Sequence, residues 1–337
     1  MKIGSLKKGF LLLLVLSWVI PTYAQQNPEY TQYMYNRLSF NPAYAGTNGS
    51  FCATGLYREQ WMGLKFENSA ESTPRTFLFS FDMPVSFLRG GLGLSVNNDY
   101  IGLNNSITAK LDYAYHLYWG PGNLSIGVEG ELFNKNFAFN NATTGSSQTG
   151  DPLNPIDESA QDPLIGRDAA SDMLMDFGLG FYYQIPGLMY LGLSATKILE
   201  AKSDIVNTHN ARHIYLTGGY EYTLPANPSL RFIPSFLLTV KGLSLSTSTF
   251  DLSCLAEYQR SFWLGASYRF QDAFSLMGGV YWKDFRIGLS YDMTTSKLGA
   301  YKSGKSFGSV ELFVRYCFKI TRPPKPPTIY RNTRYLE

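Results

Sequence analysis

Past its first two dozen residues, the chain has no apolar run long enough to cross a bilayer as a helix, yet polar and apolar residues alternate along most of it. In the stretch 309–318, Val310, Leu312, Val314, Tyr316 and Phe318 share one face, and Glu311, Phe313, Arg315 and Cys317 share the other. A period of two with one wholly apolar face describes a strand with lipid on one side. Ile107, Ala109, Leu111, Tyr113, Tyr115 and Leu117 repeat the pattern against Thr108, Lys110, Asp112 and His116. Leu124, Ile126, Val128, Gly130 and Leu132 repeat it against Ser125, Glu129 and Glu131, and Phe285, Ile287, Leu289 and Tyr291 against Arg286, Ser290 and Asp292. A bilayer admits only spans whose backbone polar groups are paired internally, so such a chain must close its sheet. The expectation is an all-β fold: a closed antiparallel transmembrane β-barrel of about 14 strands.

The alternation places strands near 51–60, 74–83, 90–99, 105–118, 123–136, 172–184, 188–197, 211–224, 229–240, 248–259, 261–270, 273–282, 284–293 and 307–319. Even-numbered connections are tight and rich in Gly, Pro, Asn and Asp, as at 119–122, 185–187, 225–228, Arg260 and Asp284. Odd-numbered ones are long, at 61–73, 137–171, 198–210 and 294–306, with Gln271-Asp272 as a short exception. Short turns face the periplasm in such barrels, and an even strand count then puts both termini there. Composition agrees with this class. Aromatics are high at 15%, which suits girdles at two lipid–water boundaries, and charged residues are low at 16%. A secreted β-sandwich also alternates, but strands of this length with aromatic ends and charges on the polar face argue against it.

The first 24 residues read as a secretory signal peptide. Lys2, Lys7 and Lys8 form a basic start, an apolar core spans 10–20, and Thr22-Tyr23-Ala24 offers a small-residue cleavage site. The remaining domains are an N-terminal hatch or strap over 25–50, the barrel over 51–319, and a Pro-rich basic periplasmic tail over 320–337. Paired prolines in TRPPKPP cannot continue a strand ladder. The formal charge of +3 includes the leader lysines, so the mature chain is near neutral, and no nucleic-acid partner is indicated.

The segment QNPEYTQYMYNRLSFNPAYAG, followed by LYREQWMGL, resembles the opening of the PorP/SprF family of outer-membrane proteins in the type IX secretion and gliding motility machinery of Bacteroidetes. Gln32, Tyr33, Met34 and Asn36 match its first block, and Asn41, Pro42, Ala43, Tyr44, Ala45 and Gly46 the second. Tyr57, Arg58, Gln60 and Trp61 match the third, whereas 37–40 follows the family less closely and the tail extends past its usual last strand. The resemblance implies a non-enzymatic role in protein secretion, helping to secrete or anchor a surface protein that carries a C-terminal sorting domain. It implies as partners a secreted adhesin or such sorting-domain cargo, and periplasmic ring components of the secretion system, beside outer-membrane lipid. The thirteen matching positions other than Ala45 are the candidate hatch or partner contacts. The alternative is an outer-membrane channel for small or hydrophobic solutes.

Catalytic and metal chemistry find little support. His209 and His213 have helical metal spacing but stand at the start of a strand, where that spacing separates them. His116 has Asp112 on its face one alternation away, with no converging nucleophile. The acidic loop 137–171 lacks the regular spacing of a calcium site. No cofactor is expected. The inward charges Lys110, Asp112, Glu129, Glu131, Asp176, Glu221, Arg231, Asp251, Glu257, Arg269, Arg286, Asp292, Glu311 and Arg315 mix both signs, which suits either a cross-linked lumen or a wet pore wall. Parity puts Cys254 toward lipid, and Cys52 and Cys317 inward on the first and last strands, where a seam disulfide depends on register.

Overall fold

The computed structural model describes residues 27–62, 73–102, 104–137, 170–203, 208–242, 244–296 and 308–319. The signal peptide expected over 1–24 and the tail expected over 320–337 lie outside the described residues. The strands are β1 Phe51–Glu59, β2 Arg75–Val85, β3 Gly90–Ile101, β4 Asn104–Trp119, β5 Gly122–Phe137, β6 Ala170–Ile185, β7 Met189–Thr196, β8 Lys202–Ser203 and β9 Thr208–His209. They continue with β10 His213–Tyr220, β11 Tyr222–Thr223, β12 Leu230–Lys241, β13 Ser244–Tyr258, β14 Phe262–Arg269, β15 Ala273–Trp282, β16 Phe285–Thr294 and β17 Ser309–Phe318. Each barrel strand pairs antiparallel with its sequence neighbours, and β1 pairs β17 to close the ring. β10 and β11 are two pieces of one strand, both paired with β12, so the wall is a closed antiparallel barrel of 14 strands. β8 and β9 form a separate two-stranded hairpin in the connection after β7.

Facing follows the alternation. Leu111, Val128, Leu179, Leu264, Leu289 and Leu312 are exposed on the outer surface, while their polar neighbours Asp112, Glu129, Ser267, Ser290 and Glu311 are buried inside. Aromatic contacts gather at both ends of the wall. Phe51 meets Phe81 and Phe318, and Phe285 meets Tyr316, at the mouth where β1 begins and β17 ends. Tyr57 meets Phe77, and Phe250 meets Phe270, toward the other mouth. Two such bands separated by aliphatic side chains match the two interfaces of a bilayer.

Two details differ from the sequence expectation. The strand placed at 248–259 starts at Ser244, and three odd-numbered connections are tight where one was expected. β3 ends at Ile101 and β4 starts at Asn104, while β12 ends at Lys241 and β13 starts at Ser244. Gly102 and Gly242 take positive φ of 60° in these turns, a conformation open to glycine without strain. Each is a single glycine amid polar residues, which alternation alone does not separate from strand.

Cys52 and Cys317 are cross-strand partners in β1 and β17 and form a disulfide. Cys254 is free and exposed on the outer face. Alkylation of denatured protein without reductant is expected to add one label, at Cys254, and three after reduction. Three labels without reductant, read by intact mass, would count against the bridge.

Candidate functional site

The barrel interior is occupied by the chain's own segment 27–50. Asn36, Asn41 and Pro42 break any regular alternation here, and the segment folds as three short 3-10 turns, Tyr33–Tyr35, Arg37–Ser39 and Pro42–Tyr44. Asn41 caps the third turn: its Oδ1 accepts from Ala43 N–H at 3.0 Å while its Nδ2 donates to the Phe181 carbonyl at 3.1 Å. One amide thus satisfies the turn and ties it to β6.

The chain descends the lumen from the half nearer the long connections to the mouth where β1 begins. At the top, Lys197 Nζ donates to Asn27 Oδ1 at 2.7 Å, and Glu29 pairs with Lys241 at 2.6 Å and Arg269 at 3.5 Å. Burial pushes the Glu29 carboxyl up, but Arg269 and Lys241 outweigh it and hold it below the usual carboxylate range. It therefore stays ionised at neutral pH.

Below this, Arg58 of β1 forms the densest knot. Its Nη2 donates to Asp292 at 2.8 Å, and its Nη1 donates to Glu311 at 3.2 Å and Thr31 Oγ1 at 2.9 Å. The Glu311 carboxylate also accepts the backbone N–H of Thr31 at 2.9 Å and of Gln32 at 2.8 Å. Thr31 Oγ1 donates to Asp292. One ion triad from β1, β16 and β17 therefore grips two successive residues of the plug across the barrel seam.

The middle is an aromatic core. Tyr35 stacks on Phe313 at 4.8 Å and meets Trp263 at 5.1 Å, with Met34, Leu255 and Met277 beside them. Tyr33 OH lies 2.9 Å from Ser253 Oγ. Arg315 donates to the Tyr35 carbonyl at 2.9 Å, and Arg37 to Tyr182 OH at 2.8 Å. Toward the lower mouth, Gly46 N–H donates to Asp82 at 3.3 Å, and His116 Nε2 donates to the Ala45 carbonyl at 3.0 Å. Gly127 of β5 faces the backbone of Pro42 and Ala43 so closely that any Cβ would collide with it. What remains of the upper lumen is a cavity of about 60 Å³, room for a few waters.

The structure brings most of the motif positions together. Gln32, Tyr33, Met34, Asn36, Asn41, Pro42, Ala43, Tyr44 and Gly46 all lie in the plug and are buried. Arg58 meets them from the wall. Tyr57 faces outward and bonds Glu59, while Gln60 and Trp61 leave the top of β1, where they bond the Pro74 carbonyl and Ser309. These three do not touch the plug through any of those bonds. The alternation did not reveal Thr31, Glu29, Lys197 or Lys241 as anchors; the first two lie in the aperiodic segment, and the lysines stand at strand ends.

The first described residues do not lie at the mouth where β1 begins. Phe51 and Phe318 pair at one mouth, but Asn27 lies in the opposite half of the lumen. An even strand count fixes only where the strands begin and end, and the residues before β1 run back up the barrel. The histidines do not converge either: His213 is buried with Nδ1 2.8 Å from the Ala211 carbonyl, and His116 is engaged with the plug. Among the described residues, no group of three or more His, Cys, Asp or Glu is placed to hold a metal.

Comparison with known proteins gives one family. The profile described as type IX secretion system membrane protein PorP/SprF matches residues 22–316. Among curated proteins, no sequence matches significantly. Similar solved structures include the Acinetobacter baumannii outer membrane protein Omp33, 7% identical, with a TM-score of 0.44 over 80% of this chain and 99% of that one. The KdgM porin in complex with oligogalacturonate is 9% identical, TM-score 0.36, over 79% and 99%. A TodX deltaS2S3 mutant, a monoaromatic hydrocarbon channel, is 13% identical, TM-score 0.46, over 84% and 94%.

Proposed function

This chain belongs to the PorP/SprF family of type IX secretion system membrane proteins, and from that premise we propose a non-catalytic role in the outer membrane, helping to secrete or anchor a surface protein that carries a C-terminal sorting domain. The observation that carries this reading is the plug. Its Glu29 is paired with Lys241 and Arg269 of the wall, and its aromatics pack the middle of the lumen. A barrel filled in this way acts through its two ends, by holding other proteins, and its filled lumen works against the solute-channel reading.

In this proposal the mouth with Phe51 and Phe318 faces the periplasm and meets ring components of the secretion system. The long connections face outward and meet the adhesin. The motif residues of 32–46 act by setting the shape of the plug, not by touching cargo directly. Deleting the gene is expected to abolish surface retention of an adhesin with a sorting domain while leaving its synthesis intact, read by cell fractionation and immunoblot. Normal amounts of anchored adhesin in the deletion strain would overturn the proposal.

A further inference from the structure

The lower mouth, where β1 starts and β17 ends, holds an open cavity of about 430 Å³ between the plug and wall residues of β1, β12, β13 and β15–β17. Cations outnumber carboxylates on its lining. Arg231 is already satisfied, with Glu221 and Glu257 each at 2.7 Å, and Arg315 is held by Asp82 at 3.6 Å and by plug oxygens. Three cations remain without an acidic partner among the described residues: Arg37, Lys283 and Arg286.

Arg286 is the most informative of these. Its guanidinium sits between two aromatic rings, 4.9 Å from the centre of Tyr35 and 4.5 Å from that of Tyr281. Tyr35 belongs to the plug and Tyr281 to β15, so the cation is clamped where the two bodies meet. Stacking on ring faces occupies the plane of a guanidinium and leaves its N–H edge free, the edge that takes a carboxylate in bidentate fashion. Arg37 is similar: it lies 3.6 Å over the Tyr190 ring, and its Nε is buried with no hydrogen-bond partner.

We propose that this mouth binds an acidic segment of a partner polypeptide. Several separated cations, interleaved with Met34, Tyr35, Ile233 and Tyr281, suit a chain that carries carboxylates and side chains better than a single small anion. The cavity opens inside the ring of strands and not on the outer apolar surface, which disfavours a lipid. The chain's own tail carries Lys319, Arg322, Lys325, Arg331 and Arg334 against Glu337, and this charge repels it from the same cations. The proposal does not depend on the secretion role, since it rests on the geometry of the mouth alone.

The test uses full-length protein in detergent and two fluorescent peptides of equal length, one with alternating aspartates and one with asparagines in their place. Fluorescence anisotropy is expected to show binding of the aspartate peptide only, weakening with added salt. Arg286→Gln is expected to weaken it about tenfold, as for loss of one charge-assisted contact, with Arg286→Lys in between. Unchanged heat-modifiability on gels shows that the barrel has folded; if Arg286→Gln fails that check, Lys283→Gln takes its place with the same expected direction. Equal binding of both peptides, or an aspartate affinity unmoved in the folded variant, would overturn the proposal. So would binding that appears only when residues 320–337 are removed, because the tail would then be the occupant.

Discussion

Arg58→Met is expected to destabilise the folded barrel by about 3–5 kcal/mol, the usual cost of removing one partner from a buried ion pair. The Arg58 and Asp292 side chains are each 2% exposed and Glu311 is fully buried, so water cannot replace the lost guanidinium. Two carboxylates would then face each other with only the donors of Thr31 and Gln32 between them. The neighbouring pair Arg75–Glu59 is the control. It spans 3.9 Å with side chains 44% and 26% exposed, and Arg75→Met is expected to cost about 0–1 kcal/mol. Urea titration followed by heat-modifiability on gels measures both. Adding Asp292→Asn to Arg58→Met should restore part of the loss, because it removes one of the stranded charges. An Arg58→Met barrel as stable as the Arg75→Met control would show that the triad does not hold the plug.

The difference between these two arginines marks how far the sequence can be read. Both lie within or beside β-strands, and alternation assigns Arg58 inward through Leu56 and Thr54, which share its face. What alternation does not supply is a partner. Asp292 and Glu311 are more than 230 residues away, and they meet Arg58 only because the last strands close on the first. The wall itself was legible, since most of its strands repeat a period of two and a one-residue error would turn an apolar face inward. The plug was not, because 27–50 has no period and its order comes from glycine-lined gaps, such as that at Gly127, in strands that follow it. The same limit applies to the course of 27–50 through the lumen. Strand parity says where β1 starts and nothing about how far the preceding residues climb. The family resemblance picked out the plug residues by type, and the structure supplies the reason for that pattern: nine of them are buried between the strands.

Excising residues 27–46 while keeping residues 1–26 is expected to turn a silent barrel into a conducting one. The wall does not need the plug for its pairing: the β1–β17 ladder and the Cys52–Cys317 bridge lie in the wall and use no plug atoms. The interior does need it. Without the segment, Trp263, Phe313 and Leu255, each 1% exposed, would face water, and Lys241 and Arg269 would lose Glu29. Water entering to hydrate these charges would leave a continuous polar path along the lumen, as in open barrels lined by residues of both signs. Planar-bilayer recordings should therefore show steady conductance for the excised protein and none for the full chain. A full-length barrel that conducts steadily would mean that the plug leaves a path around itself, and a silent excised barrel would mean that the wall collapses inward. If the proposed secretion role holds, surface retention of a sorting-domain adhesin in cells carrying the excised form then separates two roles for the plug. Retention with an open pore assigns the plug to sealing alone. Loss of retention by a folded, conducting barrel means that the plug also shapes the ends where partners bind, as the Tyr35–Arg286–Tyr281 clamp at the lower mouth implies.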